Sequence, residues 1–365
     1  MNEAKMSQRQ FFFLFFLAFL ALNFVTFPGR LAQLCATDGL IPLLATAVIA
    51  FGAGLSLICL MGRYPGKSFY EVLELSLGKV FSKIVFAVYL ILCLYYAAYA
   101  IRVICEQVKM FMLRYFNLYI IEAVFVLCVL YFCTKRAKTF GNVGQILFYI
   151  VTSFVLFLAV ITFPNGEIEN MLPLFQAEPT SLFRGFLLIN SYKYSAVLAL
   201  PFFLPHVEKL NVKMAKKQIF FAIFGVFFIF GMYYVLCVSV LGAEVCGKII
   251  FPAVNIMQSP SGKTIIFDRY EILMLFAVLN LYAVYISVMM KSVRIGVNEL
   301  CPSKNWIFYM LFLVVVALVY LLNERLVYDV IHSTLHEGGV FAMVPLLHYL
   351  VCFVAAVRRK VKKHA

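Results

Sequence analysis

Charged side chains in the middle of strongly apolar stretches are the part of this sequence best able to do chemistry. Arg102 and Glu106 are four residues apart, so on a helix they share one face and can form an ion pair. Lys193 lies in another apolar stretch, where an ammonium group costs on the order of 3 kcal/mol at the bilayer centre, so it should face a cavity or a partner such as Glu106. These charges predict binding of a polar ligand through its carboxylate, hydroxyl or ammonium group. The alternatives are a purely structural ion pair and a lysine that extends to the outer membrane surface.

Helix-breaking residues interrupt the first apolar stretch, residues 10–36. Pro28 has no N–H group and Gly29 has no preference for a helix, so the helix should open near residues 24–27. Backbone groups freed inside a membrane must be bonded again by a ligand, an ion or neighbouring side chains. Asn23 and Thr26 add polar groups at this point, although a proline kink without a ligand is the alternative.

The sixth apolar stretch, residues 184–206, contains a second polar interruption at residues 191–195, followed by Pro201 and Pro205. Interrupted spans at corresponding positions of two halves indicate a ligand site near the middle of the membrane. The third span adds Tyr99 and the eighth adds Asn280, for which a hydrogen bond between helices is the alternative. The predicted ligand-binding residues are Asn23, Thr26, Pro28, Tyr99, Arg102, Glu106, Lys193, Tyr194, Ser195 and Asn280.

The histidines, cysteines and glycines of the sequence predict neither a metal site nor a catalytic site. His332 and His336 have the spacing of metal ligands on a helix, but Glu337 follows them and is not placed as a general base, so a solvated loop is predicted. The ten cysteines include no C-x-x-C unit and are interpreted as ordinary packing thiols. With no catalytic triad, phosphate-binding loop or dinucleotide motif either, we expect no enzyme activity, no cofactor and no metal site.

The composition is that of a membrane protein with several spans. Of the 365 residues 64% are hydrophobic and 13% charged, with a mean hydropathy of +0.96, whereas a soluble domain is about half apolar and a quarter charged. A helical span needs roughly 20 apolar residues. Ten such spans are predicted within one transmembrane domain covering residues 1–365, at approximately 10–36, 40–62, 84–113, 119–134, 141–163, 184–206, 217–242, 269–291, 305–323 and 339–357.

The distribution of lysine and arginine predicts the orientation of these spans. Alternate loops together with both termini hold 21 of these residues, whereas the intervening loops hold 6. Positive residues concentrate on the cytoplasmic side, so both termini should be cytoplasmic. The net charge of +14 is therefore a topology signal and does not indicate nucleic-acid binding. The basic tail, residues 358–365, could in addition bind anionic membrane lipid.

Ten spans divide into two sets of five, and the sixth span then begins on the side opposite to the first. The halves, about residues 9–163 and 184–357, would be inverted with respect to each other. This arrangement places a ligand site at the interface between the repeats, where the interrupted spans meet. The predicted fold is therefore an all-α polytopic membrane protein with a five-plus-five inverted repeat.

Several short strings, in a consistent order along nearly the whole chain, resemble one protein family. It is the B subunit of bacterial spore nutrient germinant receptors, a branch of the amino acid–polyamine–organocation transporter superfamily. The strings are Met6-Ser-Gln-Arg-Gln10, Thr26-Phe27-Pro28, Arg63-Tyr-Pro-Gly66-Lys67, Leu77-Gly78-Lys79, Arg102-x-x-x-Glu106, Phe251-Pro252 and Arg269-Tyr-Glu271.

The resemblance implies a LeuT-like fold of ten helices in the inner membrane of the spore. It implies binding of a nutrient, an amino acid or a sugar, in a complex with an A subunit and a lipoprotein C subunit, and binding would trigger germination. By position, the unwound segments would be residues 23–28 and 194–196. Ala21 and Asn23 stand where the family often has glycine, and Leu198 stands where many members have an acid. With Lys193 nearby, these differences favour an anionic or hydroxylated ligand over a small zwitterion such as alanine.

Three functions are compatible with these features. The first is a germinant-binding receptor subunit, and the second is a secondary amino acid transporter that uses the same site with alternating access. The third is a water or ion pathway lined by Arg102, Glu106 and Lys193. Uptake of labelled nutrients distinguishes the first two, and conductance of the reconstituted protein tests the third.

Overall fold

A computed structural model of the protein describes residues 5–257, 270–302 and 305–364, so Arg269 of the last string above lies outside the described residues. Within these ranges the regular elements are helices. They are α1 (Gln8–Ala21), α2 (Phe27–Cys35), α3 (Leu40–Gly62), α4 (Phe69–Leu77), α5 (Lys79–Phe111), α6 (Leu118–Cys133), α7 (Ala137–Thr162), α8 (Pro179–Lys193), α9 (Ser195–Phe203), α10 (Val212–Leu241), α11 (Ala243–Lys248), α12 (Pro252–Asn255), α13 (Tyr270–Leu300), α14 (Asn305–Asn323), α15 (Arg325–Ile331) and α16 (Val344–His364), with a π-helix at His332–Glu337 and short 3₁₀ turns between some of them.

The protein is an all-helical, multi-pass integral membrane protein. Eight of its described helical segments are long and apolar enough to cross a membrane. Two further apolar helices are shorter, with 14 residues in α1 and 16 in α6. The eight long segments are Leu40–Gly62, Lys79–Phe111, Ala137–Asn165, Pro179–His206, Val212–Leu241, Tyr270–Leu300, Trp306–Asn323 and Arg325–Ala355.

The first apolar stretch is interrupted as its sequence predicts. Helix α1 begins with a capping box, in which Ser7 and Gln10 bond each other's backbone N–H groups, and it ends at Ala21. Asn23 has a left-handed backbone with φ of 57°, which asparagine tolerates better than most residues. Helix α2 then starts at Phe27 with Pro28 in its first turn, where the missing N–H is least costly.

The sixth stretch is interrupted much less than predicted. Only Tyr194 separates α8 from α9, and its φ of −65° and ψ of −22° are helical. The Tyr194 N–H still donates to the Asn190 carbonyl at 3.0 Å. The expectation of an unwound segment at residues 194–196 is therefore wrong. Pro201 lies inside α9, which continues past it.

The α8–α9 segment lies at the centre of the bundle. In an apolar stretch of 18 residues within this segment, 94% of the residues are buried. The corresponding share in α14 is 28%, so α14 is peripheral. Helix α13 packs against α1, α5 and α9, and α9 also packs against α1 and α5. The spans predicted to line a site, the first, third, sixth and eighth, thus meet at one place.

One carboxylate fixes the connection between α7 and α8. Both oxygens of Asp38, which follows α2, accept backbone N–H groups of residues 175–177 at 2.6 to 2.8 Å. The neighbouring Thr37 hydroxyl donates to the Pro173 carbonyl at 2.6 Å. Hydrogen bonds to a charged acceptor are stronger than neutral ones, so this connection is held firmly to the end of α2.

A candidate ligand cavity at the break between α1 and α2

A cavity of about 80 Å³ lies directly beside the break between α1 and α2. Its volume is small compared with the several hundred Å³ of drug-sized pockets, so it suits waters or a small polar molecule. Its lining combines charged, hydroxyl and aromatic side chains from α2, α5, α8 and the segments near residues 250 and 330. The lining residues are Asn23, Thr26, Phe27, Arg30, Tyr99, Val103, Glu106, Leu188, Ile189, Tyr192, Ile250, Phe251, Tyr328 and His332.

Side chains from other spans bond the backbone groups that the break sets free. The Asn23 N–H donates to the Tyr282 hydroxyl of α13 at 3.0 Å. The Leu22 carbonyl accepts a hydrogen bond from the Lys193 ammonium of α8. An unbonded backbone group in a membrane interior is costly, so these two contacts stabilise the open conformation of the first span.

Lys193 is therefore a structural partner of the break. It is 2% exposed, and its Nζ lies 3.6 Å from the centre of the Phe230 ring, which gives a cation–π contact as well as the bond to Leu22. The side chain does not extend to the outer membrane surface. Nor does Glu106 bond it, because the ion pair that the structure gives Glu106 is with Arg102.

The predicted ion pair within α5 is present, and its two side chains differ in exposure to solvent. Arg102 and Glu106 approach at 3.2 and 3.3 Å through both pairs of side-chain atoms. The Arg102 side chain is 9% exposed and stacks on the Tyr328 ring at 3.7 Å, whereas Glu106 is 50% exposed and lines the cavity. Arg102 thus orients Glu106 from behind, and the carboxylate is the group that a ligand can reach.

An aromatic wall closes the cavity on the side of α5 and α8. The Tyr99 ring stacks with Tyr192 at 5.9 Å and with Tyr328 at 6.3 Å, and its hydroxyl accepts a long hydrogen bond of 3.5 Å from the Asn23 amide. The Tyr192 hydroxyl lies 2.6 Å from Nε2 of His332. Hydroxyl and imidazole groups in this wall can donate or accept hydrogen bonds, whichever a ligand requires.

The segment 332–337 is not the solvated loop that the sequence predicts. It forms one turn of π-helix, in which His332 is 8% exposed and His336 is fully buried. His336 lies 2.9 Å from the Tyr95 hydroxyl and 3.1 Å from the Ser191 hydroxyl, and His332 lies 3.4 Å from Glu337. Single π-helical turns occur often at functional sites, and this one supplies part of the cavity wall.

Comparison with known proteins identifies the family to which this chain belongs. The profile of the family described as "Spore germination protein" matches residues 5–326. The chain belongs to this spore germination family. One similar relative is spore germination protein YndE of Bacillus subtilis (strain 168), 23% identical over 291 residues that make up 78% of each chain. Another is spore germination protein A2 of the same organism, 25% identical over 214 residues, 57% of this chain and 56% of the relative.

The structure of this germination-family member brings together part of the predicted site. Asn23, Thr26, Tyr99 and Glu106 line the cavity. Lys193 and Arg102 do not line it, but Lys193 bonds Leu22 next to Asn23, and Arg102 pairs with Glu106. The other four predicted residues, Pro28, Tyr194, Ser195 and Asn280, do not line it.

These four residues have other surroundings. Ser195 accepts a hydrogen bond of 2.7 Å from the Tyr285 hydroxyl, and the Tyr194 ring lies 6.1 Å from His348. Asn280 donates to the Phe276 carbonyl of its own helix at 2.8 Å. Pro28 is buried in the first turn of α2. The sixth span thus contributes residues two to six positions before Tyr194, namely Leu188, Ile189 and Tyr192.

Sequence reasoning missed several lining residues, among them Arg30, Tyr328 and His332. Arg30 lies inside the first apolar stretch only two residues after Pro28, and that position was the available signal. The spacing of His332 and His336 is that of metal ligands, but the position of Glu337 after them led to the prediction of a solvated loop. Tyr328 had no local signal, because its place beside Tyr99 depends on tertiary packing.

Proposed function

We propose that this protein is the nutrient-binding membrane subunit of a spore germinant receptor, and that the nutrient, an amino acid or a sugar, binds in the cavity at the break. The observation that carries the proposal is the combination of a half-exposed Glu106 carboxylate with Asn23 and Tyr99 at the point where the first span opens. A charged side chain within an apolar span is costly unless it faces a cavity or a partner, and it marks a candidate functional site.

The proposal includes a LeuT-like architecture of ten spans in two inverted sets of five. Helices α1 and α2 would together form the first span and α8 with α9 the sixth, with repeats at about residues 9–163 and 184–357. Both termini would be cytoplasmic, and the protein would lie in the inner membrane of the spore as one transmembrane domain. An A subunit and a lipoprotein C subunit would be its partners. The family match and the eight long apolar segments support this architecture.

The contacts around the break give a route from binding to response. A ligand changes an equilibrium only through different affinities for its two states. Asn23 contacts the cavity, and its backbone is bonded to α13, while the adjacent Leu22 is bonded to α8. A ligand that bonds the Asn23 amide or the Tyr192 hydroxyl therefore acts on a junction of three spans, and a shift there alters how the two halves of the bundle meet.

The second candidate is a secondary amino acid transporter. The interrupted first span and a polar cavity beside it are features of such transporters, and they favour this function equally well. Vesicles that contain the purified protein distinguish the two. A receptor binds a labelled nutrient without accumulating it, whereas saturable accumulation would identify a transporter.

A thermal-shift screen of the purified protein against single amino acids and sugars tests the binding proposal. A ligand at 100 times its Kd stabilises the folded state by about 2.7 kcal/mol, which raises the melting temperature measurably. Asn23→Gly keeps a backbone that tolerates the left-handed conformation but removes the amide, so the shift caused by a hit should shrink. Asn280→Ala removes a similar amide outside the cavity and should leave the shift intact. No hit among these compounds, or equal shifts in both variants, would contradict the proposed site.

A further inference from the structure

A second, larger cavity lies next to the first and shares two of its lining residues. Its volume is about 690 Å³, and Arg30 and Leu188 line both cavities. Arg30 therefore lies at the junction between them. The residues around the larger cavity, called here the outer cavity, are Arg30, Gln33, Leu34, Arg184, Leu188, Ser333, Glu337 and Gly338.

The outer cavity contains two guanidinium groups that are available to an anion. Arg30 and Arg184 are both exposed, and within the described ranges neither side chain makes a hydrogen bond or an ion pair. The acid in this cavity, Glu337, lies 3.4 Å from the His332 imidazole. The local balance of charge is positive, and a cleft lined by excess positive charge attracts anionic molecules.

The helix start beside the break cannot supply the donors for an anion. Helix N-termini bind anions through free N–H groups, but the Phe27 N–H donates to the Asn23 carbonyl at 3.0 Å and Pro28 has no N–H. The carbonyl oxygens of Cys246 and Ile249 lie 2.9 and 2.6 Å from the position that a Cβ atom on Gly29 would take. The segment that contains them therefore covers the first turn of α2. The positive group that remains accessible at this end of the cavity is the Arg30 guanidinium.

The geometry points to the outer cavity as a carboxylate-binding site, in which Arg30 and Arg184 hold the carboxylate of the ligand while the rest of it enters the inner cavity towards Thr26 and Tyr99. This inference rests on the proposed function and narrows its ligand class to small molecules that carry a carboxylate. Uncharged sugars would be excluded. A planar guanidinium can bond both oxygens of a carboxylate, and such paired bonds are about twice as strong as neutral ones.

Acids and their amides test this inference on the intact purified protein in an uncharged detergent. The probes are amino acids, the corresponding amino acid amides and glucose, and the measurements are the thermal shift and the dissociation constant. Hydrogen bonds to charged groups contribute about 1.5–3 kcal/mol, so the acids should bind about 10- to 100-fold more tightly than their amides. Higher salt should weaken binding of the acids and not of the amides.

Substitutions locate the site. Arg30→Gln should weaken binding of the acids about 10- to 100-fold and leave that of the amides unchanged, because it removes the charge and keeps a hydrogen-bonding side chain. Arg30→Lys should restore part of the affinity. Arg184→Gln should have a smaller effect in the same direction. Arg325→Gln is the matched control, since Arg325 is an exposed arginine that pairs with Asp329 at 3.9 Å and lines neither cavity.

The outcomes separate this inference from the proposed function. If acids and amides bind equally well, or if a stable Arg30→Gln protein binds acids as tightly as the wild type, the carboxylate site is refuted while nutrient binding stands. If no probe binds the wild type, both fail. A membrane phosphate is the other source of an anion, so nanodiscs with phosphatidylglycerol form a separate arm. Stabilisation by this lipid without any by the acids would overturn the inference too.

Discussion

The two interrupted spans differ in how far the chain departs from a helix and in what they face. The first opens over residues 22–26, with a left-handed Asn23, and borders the inner cavity. The sixth departs only at Tyr194, whose backbone angles stay helical, and Tyr194 borders neither cavity. The first span opens beside a cavity, whereas the sixth is a nearly continuous rod whose Lys193 bonds the opened segment.

At both interruptions, side chains nevertheless donate hydrogen bonds to backbone carbonyl groups. At the sixth span the Ser191 carbonyl accepts the Tyr96 hydroxyl at 2.5 Å, and the Tyr192 carbonyl accepts the Ser195 hydroxyl at 2.6 Å. At the first span the donor to the Leu22 carbonyl is Lys193, which belongs to the sixth span itself. Polar residues near an interruption therefore need not contact a ligand, because some of them form hydrogen bonds with backbone carbonyl groups.

The largest effect is expected from Lys193→Met. The substitution leaves the Leu22 carbonyl without its donor, which costs about 1–3 kcal/mol, and it releases α8 from the break. The melting temperature should fall, and the thermal shift caused by a ligand should be lost. Lys291→Met is the matched control, since Lys291 donates to the Lys135 carbonyl at 2.7 Å away from both cavities. It should lower stability but keep the ligand-induced shift. Wild-type affinity in Lys193→Met would show that the bond to Leu22 does not hold the first span open for a ligand.

A smaller effect is expected from Tyr282→Phe, which removes the hydroxyl that accepts the Asn23 N–H. Loss of this bond costs about 1–3 kcal/mol and loosens the opening, so ligand affinity should fall several-fold in a titration. Tyr285→Phe, three residues along the same helix, removes a bond to Ser195 instead. It should change affinity little, and equal losses in both variants would show that the two breaks do not differ in function.

Tyr96→Phe should reduce stability without affecting the ligand. It removes the donor to the Ser191 carbonyl at the sixth span, a bond whose net contribution is about 1 kcal/mol. Thermal unfolding of the protein without ligand measures the loss, and the ligand titration should match that of the wild type. A clear fall in affinity would mean that the sixth break takes part in binding.

The smallest effect is expected from Pro201→Ala. Pro201 lies inside α9 and away from the break, so alanine restores a backbone N–H to a helix that already continues through this point. Stability should stay the same or rise slightly, and ligand affinity should not change. A large loss of affinity on titration would indicate that the proline shapes the site from a distance.

Local sequence signals predicted the elements of the site, and tertiary contacts decided its composition. The opening of the first span followed from Pro28 and Gly29, and the pairing of Arg102 with Glu106 followed from their spacing. These are effects within one or two helical turns. The sixth span was misjudged because polar residues near prolines indicate a break, whereas the hydroxyls of Tyr96 and Ser195 keep it narrow.

The remaining features depend on residues far apart in the sequence. Lys193 bonds a carbonyl 171 residues away, and the Tyr282 hydroxyl bonds a backbone group 259 residues away. No periodicity or spacing encodes such a pairing. For the same reason, the place of Arg30 at the junction of the two cavities could not be predicted from its neighbours in the sequence.

Gly29 allows the backbone of half-helix α2 to lie in close contact with the segment around residues 246–249. The backbone oxygens of Cys246 and Ile249 lie so close to it that a methyl group there would force them apart. Half-helix α2 is therefore packed directly against the α11 segment. Any displacement of α2 would press on the backbone of this segment, part of which is exposed, and a side chain at position 29 would force the two apart.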